Sequence, residues 1–337
     1  MKPNLLVVEL WGLGDLVIAT PFLQAACERY SVTLLAKPYA FDLQQRFWPE
    51  VEVIPFVAPW TAFRHKYRLL QWPWRKMFAL RPLARRRFAV GLSGRWDPRD
   101  HILLWLFRAR RRIGFPRLNS QLFLTDSVAR PDALAHRYEN WRLLANALEI
   151  PLPPAEKIVV PPRPPRQGVL IHTGAGQPVR VWPLERYRQL ATHLRAGGFV
   201  VHIACDPDQH DWWLSAGESG AVCPHNVSEL LRLIDSVGAF VGNDSGPSHL
   251  AARCGVPTFT IFGPQLPEWF APIHPQSEYL EGKACPFKPC SDYCRFESPL
   301  CIWNIGEEEV ARRVSEFLLK VTPAGNGQRQ AGGLVSA

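Results

Sequence analysis

The sequence predicts an α/β protein made of two parallel-sheet domains, and three observations carry that prediction. Apolar strand-like runs alternate with helical stretches in both halves, a proline-dense segment separates the halves, and glycines punctuate the strand ends. In the first half the order is "NLLVVEL", "DLVIATPFLQAACERY", "SVTLLAK" and "VEVIPF", which reads as strand, helix, strand, strand and defines an N-terminal domain over residues 1–150. The segment "PLPPAEKIVVPPRPPRQ", residues 151–167, is a linker, because neither a helix nor a central strand runs through such proline density. Alternation resumes with "VLIHTGAG", the helix "PLERYRQLATHLRAGG" and the strand "FVVHIAC", opening a C-terminal domain over 168–321. Pro183 starts that helix and Gly197-Gly198 ends it, the usual asymmetry of helix termini.

The stretch "AFVGNDSGPSHLAARCGVPTFTIFG" forms a β-α-β unit with a polar mouth where the first strand ends. Gly255 and Gly263 read as stops at which a positive φ is cheap. "GEEEVARRVSEFLLKV" is an amphipathic last helix, and residues 322–337 lack the apolar side chains needed to order themselves.

A chain of 337 residues, 47% of them hydrophobic, is long enough for two domains with full cores. Glu9 and Asp15 interrupt the longest apolar stretch near the N-terminus, which neither a signal peptide nor a membrane helix tolerates at its centre. A cytoplasmic location is expected. "LQAAC" before Cys27 mimics a lipoprotein cleavage site, but the same acidic residues argue against it. The net charge of +9 concentrates in "RHKYRLLQWPWRKMFALRPLARRRF" (64–88) and "RARRR" (108–112). Such a surface is either a solvated face or one that meets anionic headgroups or an acidic glycolipid, with peripheral association to the inner membrane. No nucleic-acid-binding motif accompanies the charge, so nucleic acid is not an expected partner.

Three constellations carry chemistry. In "LWGLGDLVIATP" a strand-to-helix turn bears Gly12, Gly14 and Asp15, with Val17 where a dinucleotide-binding turn would want its third glycine. A carboxylate repels a pyrophosphate, so Asp15 is either a helix cap or a general base. In "HTGAGQPVRVWP" the backbone N–H groups of Thr173, Gly174, Ala175 and Gly176 can wrap a phosphate while Arg180 grips it in bidentate fashion, unless this is an ordinary surface loop. Asp244, Ser245 and Gly246 open a helix and offer a second anion site on the same sheet edge. Two such loops on one edge favour a diphosphate.

The succession "GLGD…TP", "HTGAG…R-x-WP" and "FVGNDSGPSHLAA…GVPTFTIFGP" resembles glycosyltransferase family 9, the bacterial ADP-heptose:lipopolysaccharide heptosyltransferases, over residues of about 4 to 320. The resemblance implies the GT-B fold, two Rossmann-like domains facing across a cleft, with the nucleotide sugar held mainly by the C-terminal one. It implies an inverting transfer of heptose or a related sugar from an ADP-sugar to a lipopolysaccharide-core or similar glycolipid acceptor. It places Asp15 as catalytic base, and Asp244, Ser245, Gly246 and His249 near the donor's diphosphate and sugar. The family's ribose carboxylate lands on Asp208 or on Asp206. Where the family carries a diphosphate-binding lysine this chain has Arg180, which keeps the charge and changes its geometry. The carboxylates of this chain are not read as a DxD-like metal pair beside the phosphate loops, although Asp206 and Asp208 are spaced D-x-D, and Arg180 with the helix N-termini is expected to replace a metal ion, so no cofactor is expected for catalysis. Should Asp15 only cap its helix, His136 is the next candidate base.

Four of the eight cysteines, Cys285, Cys290, Cys294 and Cys301, crowd into residues 285–301. The crowding fits a structural zinc or iron site, free thiols or disulfides, and a protein-glycosylating branch resembling this family binds iron through four such residues. Two other functions compete: a sugar-nucleotide epimerase or hydrolase on the same scaffold, and a catalytically decayed scaffold at the membrane surface.

Overall fold

In the computed structural model the described residues are 2–62, 77–78, 80–290 and 292–322. Most of the basic stretch 64–88, and the tail beyond residue 322, lie outside them. The chain divides into two compact units, Met1–Lys157 and Ile158–Ala337.

The first unit holds strands β1 (Asn4–Glu9), β2 (Ser31–Ala36), β3 (Glu52–Pro55), β4 (Val90–Ser93), β5 (Arg111–Gly114) and β6 (Asp126–Ser127). They pair in the order β3-β2-β1-β4-β5-β6, all in parallel, with Asn4 opposite Ser31 and Leu5 opposite Val90 flanking β1. Leu5, Leu6, Val7 and Val8 are fully buried, as a strand covered on both faces requires. Because the strand order reverses between β1 and β4, a crevice opens beyond their carboxyl ends.

The second unit contains β7 (Val169–His172), β8 (Val201–Ala204), β9 (Ala239–Asn243), β10 (Thr258–Phe262) and β11 (Glu278–Glu281). Their order is β11-β10-β9-β7-β8, again all parallel, and the reversal lies between β7 and β9. One core under this sheet joins Val169, Ile171, Trp182, Tyr187, Phe259 and Phe317. The last helix, Glu307–Val321, closes it with Val310, Val314, Phe317 and Leu318 on one stripe.

Two local expectations change. The first long helical stretch is two helices, Leu13–Ile18 and Thr20–Arg29, because Pro21 has no N–H with which to continue the ladder. Gly255 does adopt a positive φ of 78°, but Gly263 does not. A Cβ at Gly263 would lie 2.8 Å from that of Ile302, so close packing, and not a left-handed backbone, is what this glycine serves. Among the described residues no helix is long and apolar enough to cross a membrane.

Candidate functional site

Each unit presents a polar group at its own switch point. In the first, the turn after β1 delivers Asp15 into the first turn of the helix Leu13–Ile18. Its Oδ2 accepts the Gly12 N–H at 3.0 Å, so Asp15 does cap its helix. Its Oδ1 makes an ion pair with Arg95, which follows β4, and the Arg95 guanidinium in turn stacks over Trp11 at 5.2 Å. Glu9, the last residue of β1, is buried beside them and accepts the Trp11 N–H at 3.2 Å. Burial pushes the Glu9 carboxyl up to about 8; the Arg95 charge opposes this and the charges of Asp15 and Asp100 add to it. Asp100 accepts the Ser93 hydroxyl at 3.0 Å, and burial, with the Asp97 carboxylate next, raises it to about 7.

One guanidinium thus serves three carboxyls. Two of them are driven towards the neutral form, while Asp15 keeps the direct charge contact. A carboxylate with two donors already in place still has lone pairs with which to take a proton from a hydroxyl. His136 uses Nδ1 to accept the Tyr138 N–H at 3.1 Å where the helix Tyr138–Ala147 begins. Arginines stacked on tryptophan recur nearby in the chain: Arg130 and Arg137 lie over Trp96 at 5.4 and 4.6 Å, and Arg99 over Trp60 at 5.3 Å.

In the second unit the loop after β7 meets the loop after β9. Arg180 ends a short turn, Pro178–Arg180, and its Nη1 reaches Asp244 Oδ2 at 3.1 Å. Asp244 is only 2% exposed. Asn243 braces the junction: its side-chain oxygen accepts the Trp182 N–H at 3.0 Å and the Tyr187 hydroxyl at 2.8 Å, and its amide donates to the Thr173 carbonyl at 2.8 Å. Ser245 and Ser248 both donate their hydroxyls to the Asn243 carbonyl, at 3.3 and 2.7 Å. The helix Gly246–Arg253 therefore starts with no side-chain cap on its first amides, and it carries the buried His249. An uncapped helix start is where an anion is welcome.

Thr173 spends its N–H on the Ala204 carbonyl and its hydroxyl on Gln209 and Trp213, so its polar groups serve the fold. Asp206, just beyond β8, packs so closely on Gly174 that a Cβ there would collide with its carboxyl group. Burial, helped by the Asp208 charge, raises Asp206 above the usual carboxylate range. Asp208 itself is exposed on the next turn. Gly176 faces open space. The loop therefore presents a carboxylate over Gly174 and a cation at Arg180, a pairing suited to a ribose at one end and a diphosphate at the other.

All eight cysteines are free thiols, which removes the disulfide alternative. Cys285, Cys290, Cys294 and Cys301 line one cavity of about 10 Å³, walled also by Phe287 and Phe296. Yet among the described residues no three Cys, His, Asp or Glu side chains form a group able to hold a metal ion. As placed, the four thiols do not form such a group, and burial pushes the Cys301 thiol up to about 11.

Sequence reasoning missed Arg95, Asp100 and the bracing role of Asn243, and it took Glu9 only for an interruption of an apolar run. The signal for Glu9 and Arg95 was positional: both sit where a strand next to the reversal ends.

A model of glycosyltransferase family 9 (heptosyltransferase) matches residues 102–299. The chain is 27% identical over 213 residues to lipopolysaccharide heptosyltransferase 1 of Pseudomonas aeruginosa, a stretch covering 55% of this chain and 59% of that protein. The match thus spans less than two thirds of that relative's length. Among solved structures, the glycosyl transferase family 9 protein from Veillonella parvula is similar at TM-score 0.75 and 17% identity, over 95% of this chain and 98% of that one. E. coli heptosyltransferase WaaC with ADP is similar at TM-score 0.70 and 17% identity, over 93% and 99%. At these identities the likeness is one of fold, the GT-B fold with its two Rossmann-like units.

Proposed function

The chain belongs to glycosyltransferase family 9, and from that premise we propose that it is an inverting heptosyltransferase using an ADP-sugar donor and a lipopolysaccharide-core or similar anionic glycolipid acceptor. The observation that supports this most is the meeting of Arg180 and Asp244 at the switch point of the second sheet, beside the uncapped start of the helix Gly246–Arg253. A departing diphosphate needs fixed positive charge at that place, and a guanidinium with helix amides supplies it. This supply is the ground for expecting turnover without a metal ion or cofactor. Asp206 is positioned for the ribose hydroxyls, and Gly174 to Gly176 let the backbone come close to the nucleotide. Asp244, Ser245, Gly246 and His249 then lie towards the donor's phosphates and sugar.

On the acceptor side Asp15 takes the proton from the attacking hydroxyl. The hydroxyl oxygen bonds to the anomeric carbon as the bond from that carbon to the ADP oxygen breaks, the configuration inverts, and ADP leaves with the electron pair. Arg95 holds Asp15 in place, and the arginine–tryptophan pairs of the first unit favour an anionic glycan. The basic stretch from Arg64 to Arg87 would bring the protein to an anionic membrane surface, and vesicle flotation that weakens with added salt would support that attachment. Calorimetric titration with ADP, UDP and GDP tests the donor assignment: ADP is expected to bind most tightly, and tighter binding of UDP or GDP overturns it.

A further inference from the structure

Arg180 has a second carboxylate partner, and it comes from the cysteine-rich segment. The Nε and Nη2 of Arg180 donate to the two carboxylate oxygens of Asp292 at 2.7 and 2.8 Å, a two-bond fork, while Nη1 goes to Asp244. Asp292 lies between Cys290 and Cys294, 112 residues further along the chain, and is itself steadied by the Gln265 amide at 3.3 Å from its Oδ1. Its side chain is 15% exposed and that of Arg180 is 21% exposed. The fork uses the edge of the guanidinium that fixes its plane, which leaves the Nη1 side directed at Asp244 and the loop after β9.

We propose that Asp292 is a positioning residue for the donor: it sets the plane of Arg180 so that the guanidinium meets the diphosphate ready-aimed, and it does not touch the nucleotide itself. This inference rests on the reading of Arg180 as the diphosphate ligand. Three points carry it. An arginine side chain has many rotamers, and ordering it in advance removes that entropy from the binding step. Without Asp292, Nε and Nη2 lose their partner and the guanidinium can turn its fork onto Asp244, which only Nη1 meets with Asp292 in place. The arrangement also gives a reason for arginine at position 180: an ammonium is a point charge that cannot form two parallel bonds to Asp292 and present a further donor in a fixed direction.

The backbone at Asp292 has φ of 69°, so the side chain is best removed by Asp292→Gly, which relaxes that conformation, with Asp292→Asn as a second variant that also tolerates it. Titration with ADP and, separately, with adenosine distinguishes aiming from scaffolding. Asp292→Gly is expected to weaken ADP about tenfold, the scale of one charge-assisted hydrogen bond, and to leave adenosine unchanged. The loss should disappear when Arg180 is already alanine, because Asp292 acts only through Arg180. ADP affinity that is unchanged or improved in both Asp292 variants, an equal loss for adenosine, or a full loss in the Arg180→Ala background each overturns the proposal. If Arg180→Ala alone leaves ADP affinity untouched, it is the donor-site reading that fails, a result distinct from the others.

Discussion

At the reversal of the first sheet Arg95 stands with Asp15, and the charges of Glu9 and Asp100 act on the same cluster; at the reversal of the second, Arg180 stands between Asp244 and Asp292. Asp15, Arg95, Arg180 and Asp244 all follow strands that flank a reversal, whereas Asp292 comes from the cysteine-rich segment, and both arginines are about equally exposed, at 22% and 21%. The difference lies in what each arginine is for. In the first group burial lifts Glu9 to about 8 and Asp100 to about 7, while Asp15 stays in contact with Arg95. In the second a two-bond fork fixes the orientation of a cation. On the proposed reading one crevice would receive a proton and the other would hold negative charge still, a division of labour that sugar transfer from a nucleoside diphosphate requires.

The largest effect should come from breaking the first group at its centre. Asp15→Asn keeps the size and an acceptor for the Gly12 N–H, so folding and ADP affinity should persist while turnover falls by about 10²–10⁴-fold, the usual contribution of general acid–base catalysis. A folded variant that transfers sugar at the parent rate would leave Asp15 as a helix cap and direct attention to His136. Breaking the second group should act on binding instead. Arg180→Ala is expected to weaken ADP by about 1.5–3 kcal/mol, the range for a hydrogen bond to a charged group, measured by calorimetry. If it left ADP affinity intact and slowed only the chemical step, the proposed division between the two crevices would be wrong.

The smallest effect concerns pH. Because the folded protein raises Glu9 from 4.5 to about 8, it binds a proton there that the unfolded chain releases. The stability associated with that group is full at low pH and is lost as pH rises through about 8. Glu9→Gln removes this dependence, so its melting temperature should gain on that of the parent protein between about pH 5 and about pH 9. A difference that stayed flat across that window would mean that Glu9 remains ionised in its buried place.

The sheets were legible because buried parallel strands leave continuous apolar runs such as "LLVV" and "TFTIF", and their ends carry glycine. The same signal located Asp15, Arg180 and Asp244, each in the segment that follows a strand end. It failed where an element is too short to leave a run: β4 has four residues, one of them glycine, so Arg95 behind it attracted no notice. Pairings between distant segments leave no local trace: nothing in the sequence ties Asp292 to Arg180, 112 residues away. That Asp206 packs against Gly174 while Asp208 is exposed is likewise a fact of three-dimensional approach that the sequence does not show. Spacing pointed to the four cysteines as ligands, and the structure brings all four to one cavity without grouping them, among the described residues, as a metal site.

The central claim, that the two crevices together carry out sugar transfer, is tested most directly by incubating the purified protein with ADP-heptose and an anionic lipopolysaccharide-core acceptor and following both products by mass spectrometry. The account predicts that one heptose is added to the acceptor for each ADP released, with inverted configuration at the anomeric carbon. Consumption of ADP-heptose with no gain in acceptor mass would contradict it and point to a hydrolase or an epimerase.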